Sequence, residues 1–269
     1  MDVEIIASRV SDNYFYGLKD GGEAALIDPV DGSTAVDWVR GEDLQLRYLL
    51  NTHFHPDHTG GNPTVLSEFT DVQLVAGATD ADRIVAQLDG KQVDRRVTHG
   101  DELTLGSSTL RVLDTPGHTP GHVSLVHGDR LFSGDTIFVG GAGNCNFGGD
   151  PGDLFRSFRD VLPEIDDETT FYPGHDYAVR DIEFILSIEP DNEEAREMLE
   201  RAKATPEGEI FLTTLGEERS YNPFFRVGES GLRDRLASEH SDLYARSSGE
   251  SRSEQEAAFR TIRELRNQW

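Results

Sequence analysis

Apolar residues come in short runs broken by Gly, Pro and Asp over roughly the first two thirds of the chain. Runs at 3–8, 24–27, 46–51, 72–76, 109–113, 123–126 and 130–132 are bounded by turn residues, and their length predicts strands. Two helix starts are signalled between them. Asn62-Pro63 offers an N-cap followed by proline at the first helical position, and Asp80 offers a cap for a helix over 81–88. After Tyr177 the period changes: Val179, Ile182, Ile185 and Leu186 recur at helical spacing, and 193–203 is rich in helix formers. The polar stretch 230–253 predicts a short helix and a loop before a final helix over 254–269, where Phe259, Ile262, Leu265 and Trp269 form an apolar stripe. Strands mixed with helices, then helices alone, predict an α/β layered domain over 1–177 and a helical domain over 178–269.

Composition narrows the class of partner. The 269 residues carry 50 Asp+Glu against 25 Lys+Arg, a formal charge of -25, and only Lys19, Lys91 and Lys203 are lysines. Self-repulsion at that density opposes a compact state unless salt screens it. Abundant acid with scarce lysine predicts a salt-adapted, halophilic protein. Nucleic acid is excluded as a partner, because backbone binding needs a basic face and no cluster of Lys/Arg supplies one. Cys145 is the single cysteine, so no intrachain disulfide forms. No basic leader opens the sequence and no run of roughly 18 apolar residues occurs. The expectation is a soluble cytoplasmic protein without a membrane partner.

The run Thr52-His53-Phe54-His55-Pro56-Asp57-His58 follows the apolar segment 46–50, which puts its imidazoles in a loop at a strand end. Three imidazoles and a carboxylate crowded beside a proline suit borderline cations such as zinc or iron. Further candidates end later strands: His118 in Thr115-Pro116-Gly117-His118, Asp135 in Ser133-Gly134-Asp135, and His175 in Pro173-Gly174-His175. Such strand–Gly–ligand junctions can converge at one sheet edge.

With these motifs the sequence resembles the metallo-β-lactamase superfamily and, within it, the glyoxalase II (hydroxyacylglutathione hydrolase) family. Asp28 in Leu26-Ile27-Asp28-Pro29, Thr52–His58 with Gly60-Gly61-Asn62, His118, Asp135 and His175 match its five motifs. The likeness continues through Ile188-Glu189-Pro190 and Ser220-Tyr221-Asn222-Pro223-Phe224-Phe225-Arg226-Val227. The resemblance implies an αββα sandwich with a C-terminal helical domain and two divalent metal ions per chain, zinc foremost with iron or manganese as alternatives. It implies that His53, His55 and His118 hold one metal, that Asp57, His58 and His175 hold the other, and that Asp135 bridges them. A hydroxide between the metals would hydrolyse S-(2-hydroxyacyl) thioesters of a small thiol, as in methylglyoxal detoxification, with Asp57 and Asp135 in catalytic roles. Asp28 and His122 would support the ligands from behind.

The remaining candidates concern the substrate. The glycine-rich loop 140–149 carries Asn144, Cys145, Asn146 and Phe147 where the family has a Lys and a Tyr that help hold glutathione, which leaves the thiol open between glutathione, γ-glutamylcysteine and others. Tyr177 matches a family residue that contacts the thiol. Arg263 and Arg266 match a basic pair; spaced by three on a helix, they could grip a substrate carboxylate or form a solvated face. Cys145 without an assigned base is a weak nucleophile candidate. The main competing activity is that of persulfide dioxygenases, iron enzymes that share the five motifs but lack the long helical C-terminal part. Oligomeric state is not legible.

Overall fold

The structure is a computed structural model and describes Met1–Ser11 and Asn13–Trp269. A six-stranded sheet is built from β1 (Asp2–Ala7), β2 (Tyr14–Asp20), β3 (Glu23–Ile27), β4 (Gln45–Asn51), β5 (Gln73–Gly77) and β6 (Arg95–Val97), in that order across the sheet. The first three strands run antiparallel, and β3 to β6 pair in parallel. Parallel pairing requires crossovers, and these are helical. They hold α1 (Gly32–Gly41), α2 (Pro56–Thr59), α3 (Asn62–Glu68) and α4 (Ala81–Val85).

Both faces of this sheet are buried, and its side chains alternate between two cores. Ala24, Leu26, Leu74 and Ala76 pack with Ala35, Val36, Val39, Val65, Leu66 and Ile84 from the helices. Ala25, Ile27 and Val75 point the other way, toward Leu110, Val112, Val123, Leu125 and Phe132. Those belong to a second sheet of β7 (Glu102–Leu105), β8 (Ser108–Asp114), β9 (Val123–His127), β10 (Arg130–Gly134) and β13 (Thr170–Pro173). A register shift at Ala24/Ala25 against β4 lets Leu46 and Leu49 share one core despite their odd spacing. This is a helix layer on a two-sheet sandwich, with the His- and Asp-bearing loops at strand ends.

By contact, the chain forms two units. The first is Met1–Thr115, Thr119–Gly134 and Tyr172–Asp176; the second is Pro116–His118, Asp135–Phe171 and Tyr177–Trp269. The second unit holds a hairpin of β11 (Ile137–Phe138) and β12 (Gly141–Ala142) and seven α-helices: α5 (Pro151–Arg156), α6 (Ala178–Ile188), α7 (Glu193–Lys203), α8 (Leu215–Tyr221), α9 (Ser230–Glu239), α10 (Ser241–Glu250) and α11 (Glu254–Gln268). Its core is aromatic: the rings of Phe155, Phe158 and Phe224 all pack on Phe259, with centroids 5.0 to 5.7 Å away. This partition by contact differs from a single cut at 177/178, because 135–171 packs with the C-terminal helices.

Local expectations were met unevenly. The final helix starts after Ser253, whose hydroxyl accepts from Glu256 N–H, as a helix cap does. Asn62 is not a cap; Gly61 precedes the helix, and the Asn62 amide donates to Asn51 Oδ1 at 2.7 Å. Asp80 precedes a helix that ends at Val85 rather than 88, and its carboxylate caps nothing there. It accepts instead from Thr119 Oγ1 (2.5 Å) and Gly121 N (2.9 Å). The polar stretch 230–253 forms two helices where one was expected. Trp269 is 48% exposed and falls outside the buried stripe, which includes Arg263 and Arg266 instead.

Candidate active site

The first unit builds its ligand cluster from the end of β3 outward. Asp28 has φ 55, a left-handed backbone that Asp tolerates better than most residues. It turns its carboxylate under the next strand end, where Oδ1 accepts from Thr52 N (2.8 Å) and Oδ2 from Thr52 Oγ1 (2.5 Å). Oδ2 also lies 3.0 Å from His58 Nδ1. A carboxylate accepts only, so His58 Nδ1 is the protonated nitrogen and Nε2 carries the lone pair. Thr52 spends its hydroxyl hydrogen on Asp28 and accepts from His53 Nδ1 at 3.0 Å. His53 is thereby fixed in the same tautomer, with Nε2 at 3.1 Å from His55 Nδ1.

Pro56 starts α2 directly after His55, and that turn delivers Asp57 and His58. Asp57 Oδ2 lies 3.8 Å from His58 Nε2 and 3.3 Å from His175 Nε2. His175 leaves β13 through Gly174, whose N–H donates to Gly134 O and whose carbonyl accepts from Tyr14 N. Asp57, His58 and His175 form one group able to hold a cation, and the ligand-type atoms of Asp28, His53 and His58 lie similarly close together. Asp28 already accepts from three donors, Thr52 N, Thr52 Oγ1 and His58 Nδ1. His53 and His58 are fully buried, whereas the Asp57 side chain is 46% exposed. His122 is buried with its ring stacked on His53, centroids 5.0 Å apart, and its Nδ1 lies 3.0 Å from Thr115 Oγ1.

Gly134 explains the glycine before Asp135. Its φ is 48, and a Cβ there would come within 2.5 Å of Thr52 Oγ1 and 2.7 Å of His122 Nε2. In the second unit, His118 donates Nδ1–H to Asn144 O at 2.7 Å, leaving Nε2 toward Asp135 Oδ2 at 3.4 Å. The donor set in both units is therefore chemically fit for divalent cations. The rings of His58, His53 and His118 are oriented through Nδ1 by a carboxylate, a hydroxyl and a carbonyl respectively, and the carboxylates of Asp57 and Asp135 face Nε2 of His58 and His118.

All six expected substrate residues border one cavity of about 230 Å3 in the second unit: Asn144, Asn146, Phe147, Tyr177, Arg263 and Arg266. Each arginine is partly engaged by the protein, and the buried Nε of Arg263 has no hydrogen-bond partner among the described residues. Arg266 donates through Nε and Nη2 to Asp181 Oδ1, both at 2.6 Å, and Arg263 Nη1 donates to Ala142 O and Gly143 O. Both are over nine-tenths buried, and burial lowers the Arg263 guanidinium to about 10. Burial pushes the Asp181 carboxyl up, opposed by Arg266. Arg180, Asp181 and Asn267 also line the cavity and were not singled out from sequence; only helical spacing from Tyr177 could have pointed to Arg180 and Asp181. Burial pushes the Cys145 thiol to about 12, which removes it as a nucleophile near neutral pH. Missed as well was Asn13, whose Nδ2 lies 3.2 Å from His175 Nε2.

Behind the cavity, Glu218 clamps the β11–β12 turn. Its carboxylate is fully buried and accepts from Gly140 N (3.0 Å), Asn222 Nδ2 (2.8 Å), Thr213 Oγ1 (2.8 Å) and the Tyr221 hydroxyl. Burial nevertheless pushes it up to about 7.

A strand-end set of imidazoles and carboxylates on a two-sheet sandwich defines a metal-dependent enzyme. The family model of the metallo-beta-lactamase superfamily matches residues 9–179, and that of the hydroxyacylglutathione hydrolase C-terminus matches 176–269. A hydroxyacylglutathione hydrolase from Polaromonas sp. is 38% identical over 96% of this chain and 94% of its own. A cytoplasmic hydroxyacylglutathione hydrolase from Arabidopsis thaliana is 33% identical over 84% of this chain and 89% of its own. The crystal structure of ETHE1 from Myxococcus xanthus superposes with a TM-score of 0.62 at 30% identity, over 83% of this chain and 84% of that one. The chain belongs to the hydroxyacylglutathione hydrolase family of the metallo-beta-lactamase superfamily.

Proposed function

We propose that the protein hydrolyses S-(2-hydroxyacyl) thioesters of a small anionic thiol, S-D-lactoylglutathione or an analogue, releasing a 2-hydroxy acid and the free thiol. The observation that carries this is the match of 176–269 to the hydroxyacylglutathione hydrolase C-terminus, alongside the ligand set upstream.

In this reading His53, His55 and His118 would hold one divalent cation, Asp57, His58 and His175 would hold a second, and Asp135 would serve both. Zinc is the proposed metal, with iron and manganese compatible with the same donors. Such a pair supplies a nucleophile from water near neutral pH and stabilises negative charge developing on the thioester carbonyl oxygen. Asp57, with its half-exposed side chain, accepts a hydrogen bond from the attacking water and orients it. Asp28 holds His58 and, through Thr52, His53, so that neither ring rotates when substrate binds. The cavity edged by Tyr177, Asn144, Asn146 and Phe147 receives the thiol. By function, 1–177 is the catalytic part and 178–269 the substrate-binding part, a division supported by the two family matches.

We place the protein in the cytoplasm, supported by its lone cysteine and by the plant cytoplasmic relative; no helix among the described residues is long and apolar enough to cross a membrane. The test is a panel of lactoyl thioesters assayed on zinc-, iron- and manganese-loaded protein, with free thiol measured directly. Release of thiol in stoichiometric amount with D-lactate supports the reading. Oxygen uptake with glutathione persulfide and no thioester cleavage overturns it.

A further inference from the structure

We infer that Asp80 is a positioning residue for His118, and that the segment 80–87 sets the separation of the loops that carry His55 and His118; the inference rests on the metal-dependent reading above. The three imidazoles assigned to one cation come from two loops far apart in sequence, His53 and His55 from 52–59 and His118 from 115–122. Asp80 is 1% exposed, and Thr119, the residue directly after His118, is fully buried. Asp80 Oδ2 accepts from Thr119 Oγ1 at 2.5 Å and Oδ1 accepts from Gly121 N at 2.9 Å, so both carboxylate oxygens bind the short stretch that follows His118. The two backbones also touch. A Cβ on Gly121 would come within 2.4 Å of Asp80 N, and one on Gly77 within 2.2 Å of Gly121 O. Burying a carboxylate is unfavourable unless donors compensate it, so the loop cannot leave Asp80 without stranding that charge.

The far end of the same segment grips the other loop. Gln87 Nε2 donates to the carbonyl of Phe54, the residue between His53 and His55, at 2.6 Å, and Gln87 Oε1 accepts from Thr59 Oγ1 at 2.7 Å. The Arg83 guanidinium lies 4.5 Å from the centre of the Phe54 ring, which in turn meets the His55 ring edge-on with centroids 4.7 Å apart. The segment itself is anchored in the helix-side core through Ile84 and Leu88. One rigid stretch of chain therefore holds Phe54 and Thr59 at one end and Thr119 and Gly121 at the other. Groups that fix the carriers of metal ligands in this way raise affinity without touching the metal.

The experiment measures zinc affinity by competition with a chromogenic chelator in two backgrounds. His175→Ala leaves the site assigned to His53, His55 and His118, and His55→Ala leaves the one assigned to Asp57, His58 and His175. Adding Asp80→Ala should weaken zinc about 10- to 100-fold in the His175→Ala background and less than about twofold in the His55→Ala background. Asp80→Asn should bind more tightly than Asp80→Ala, because Oδ1 still accepts from Gly121 N and the amide can donate to the Thr119 hydroxyl. Thr119→Val removes one of the two bonds and should weaken the same site by a smaller factor, which keeps the test open if Asp80→Ala does not fold. Equal loss in both backgrounds, as a general loosening of the fold would give, overturns the assignment, and so does unchanged affinity in the His175→Ala background. If neither background retains zinc, the substitutions are compared in the otherwise wild-type chain: weaker binding by Asp80→Ala than by Asp80→Asn supports the assignment, and any other order overturns it. A wild-type chain that yields all its zinc to the chelator overturns the metal-dependent reading and the assignment with it, an outcome distinct from equal loss, which overturns the assignment alone.

Discussion

Asp28 Oδ2 lies 3.0 Å from His58 Nδ1, close enough to fix which nitrogen of that ring keeps its proton. Asp28→Asn is the informative variant, because Asn tolerates the φ of 55 and retains an acceptor but loses the charge. Metal affinity, followed by competition with a chromogenic chelator, should fall about 10- to 100-fold. Chelator curves that superimpose on wild type would show that the carboxylate does not tune the ligand.

Ligand-type side chains exceed what one tetrahedral cation needs, so protein loaded with excess zinc should hold close to two equivalents by elemental analysis. Asp135→Ala should lose metal and hydrolysis together. A fully active enzyme that retains a single equivalent after dialysis would contradict the dinuclear proposal.

Arg266→Ala should destabilise by about 3–5 kcal/mol, because it strands the Asp181 carboxylate in the interior. Part of that loss is relieved if Asp181, already raised by burial, takes up a proton. The double variant Arg266→Met with Asp181→Leu should recover most of the stability. Chemical denaturation of the three proteins checks this, and a single variant as stable as wild type would mean the pair is energetically idle.

Glu218 is held at about 7 in the folded chain against an ordinary value of 4.5. A raised carboxyl binds its proton more tightly when folded. Its contribution to stability is therefore complete below 4.5 and is lost as pH rises through 7, with a ceiling of about 3 kcal/mol. The stability of wild type relative to Glu218→Gln, which does not titrate, should decline between about pH 5 and about pH 8 by up to that amount. A difference that stays constant over this range would refute the linkage.

With a formal charge of -25, melting temperature should climb as KCl rises from about 0.1 M to about 1 M, where the Debye length shrinks from about 10 to about 3 Å. Differential scanning calorimetry reads this directly. Indifference to salt would remove the halophilic reading.

The candidate ligands were legible because most follow a strand directly and several share one short turn; chemistry concentrated in sequence needs no tertiary knowledge to be noticed. Asp28 was equally readable, through its place after an apolar run. Arg180 and Asp181 were not, since Asp181 acquires its meaning from Arg266, 85 positions away. Asp80 and Asn62 carry the residue types of helix caps, yet the first serves Thr119 and Gly121 and the second Asn51. Local propensity lost there to longer-range partners of better geometry. The strand Arg95–Val97 is too short to establish a period, and the second helix within 230–253 has few apolar positions to announce it.

Phe155 and Phe158, encoded before residue 177, have Phe224 and Phe259, encoded long after it, as their packing partners. A gene cut at the apparent junction would yield a fragment with bare aromatic rings and no cover for them. The C-terminal helices are thus no cassette that recombination can trade between related enzymes intact. Any exchange that preserves folding must carry 135–171 with it, and so must inherit Asp135 from the same parent as the helices.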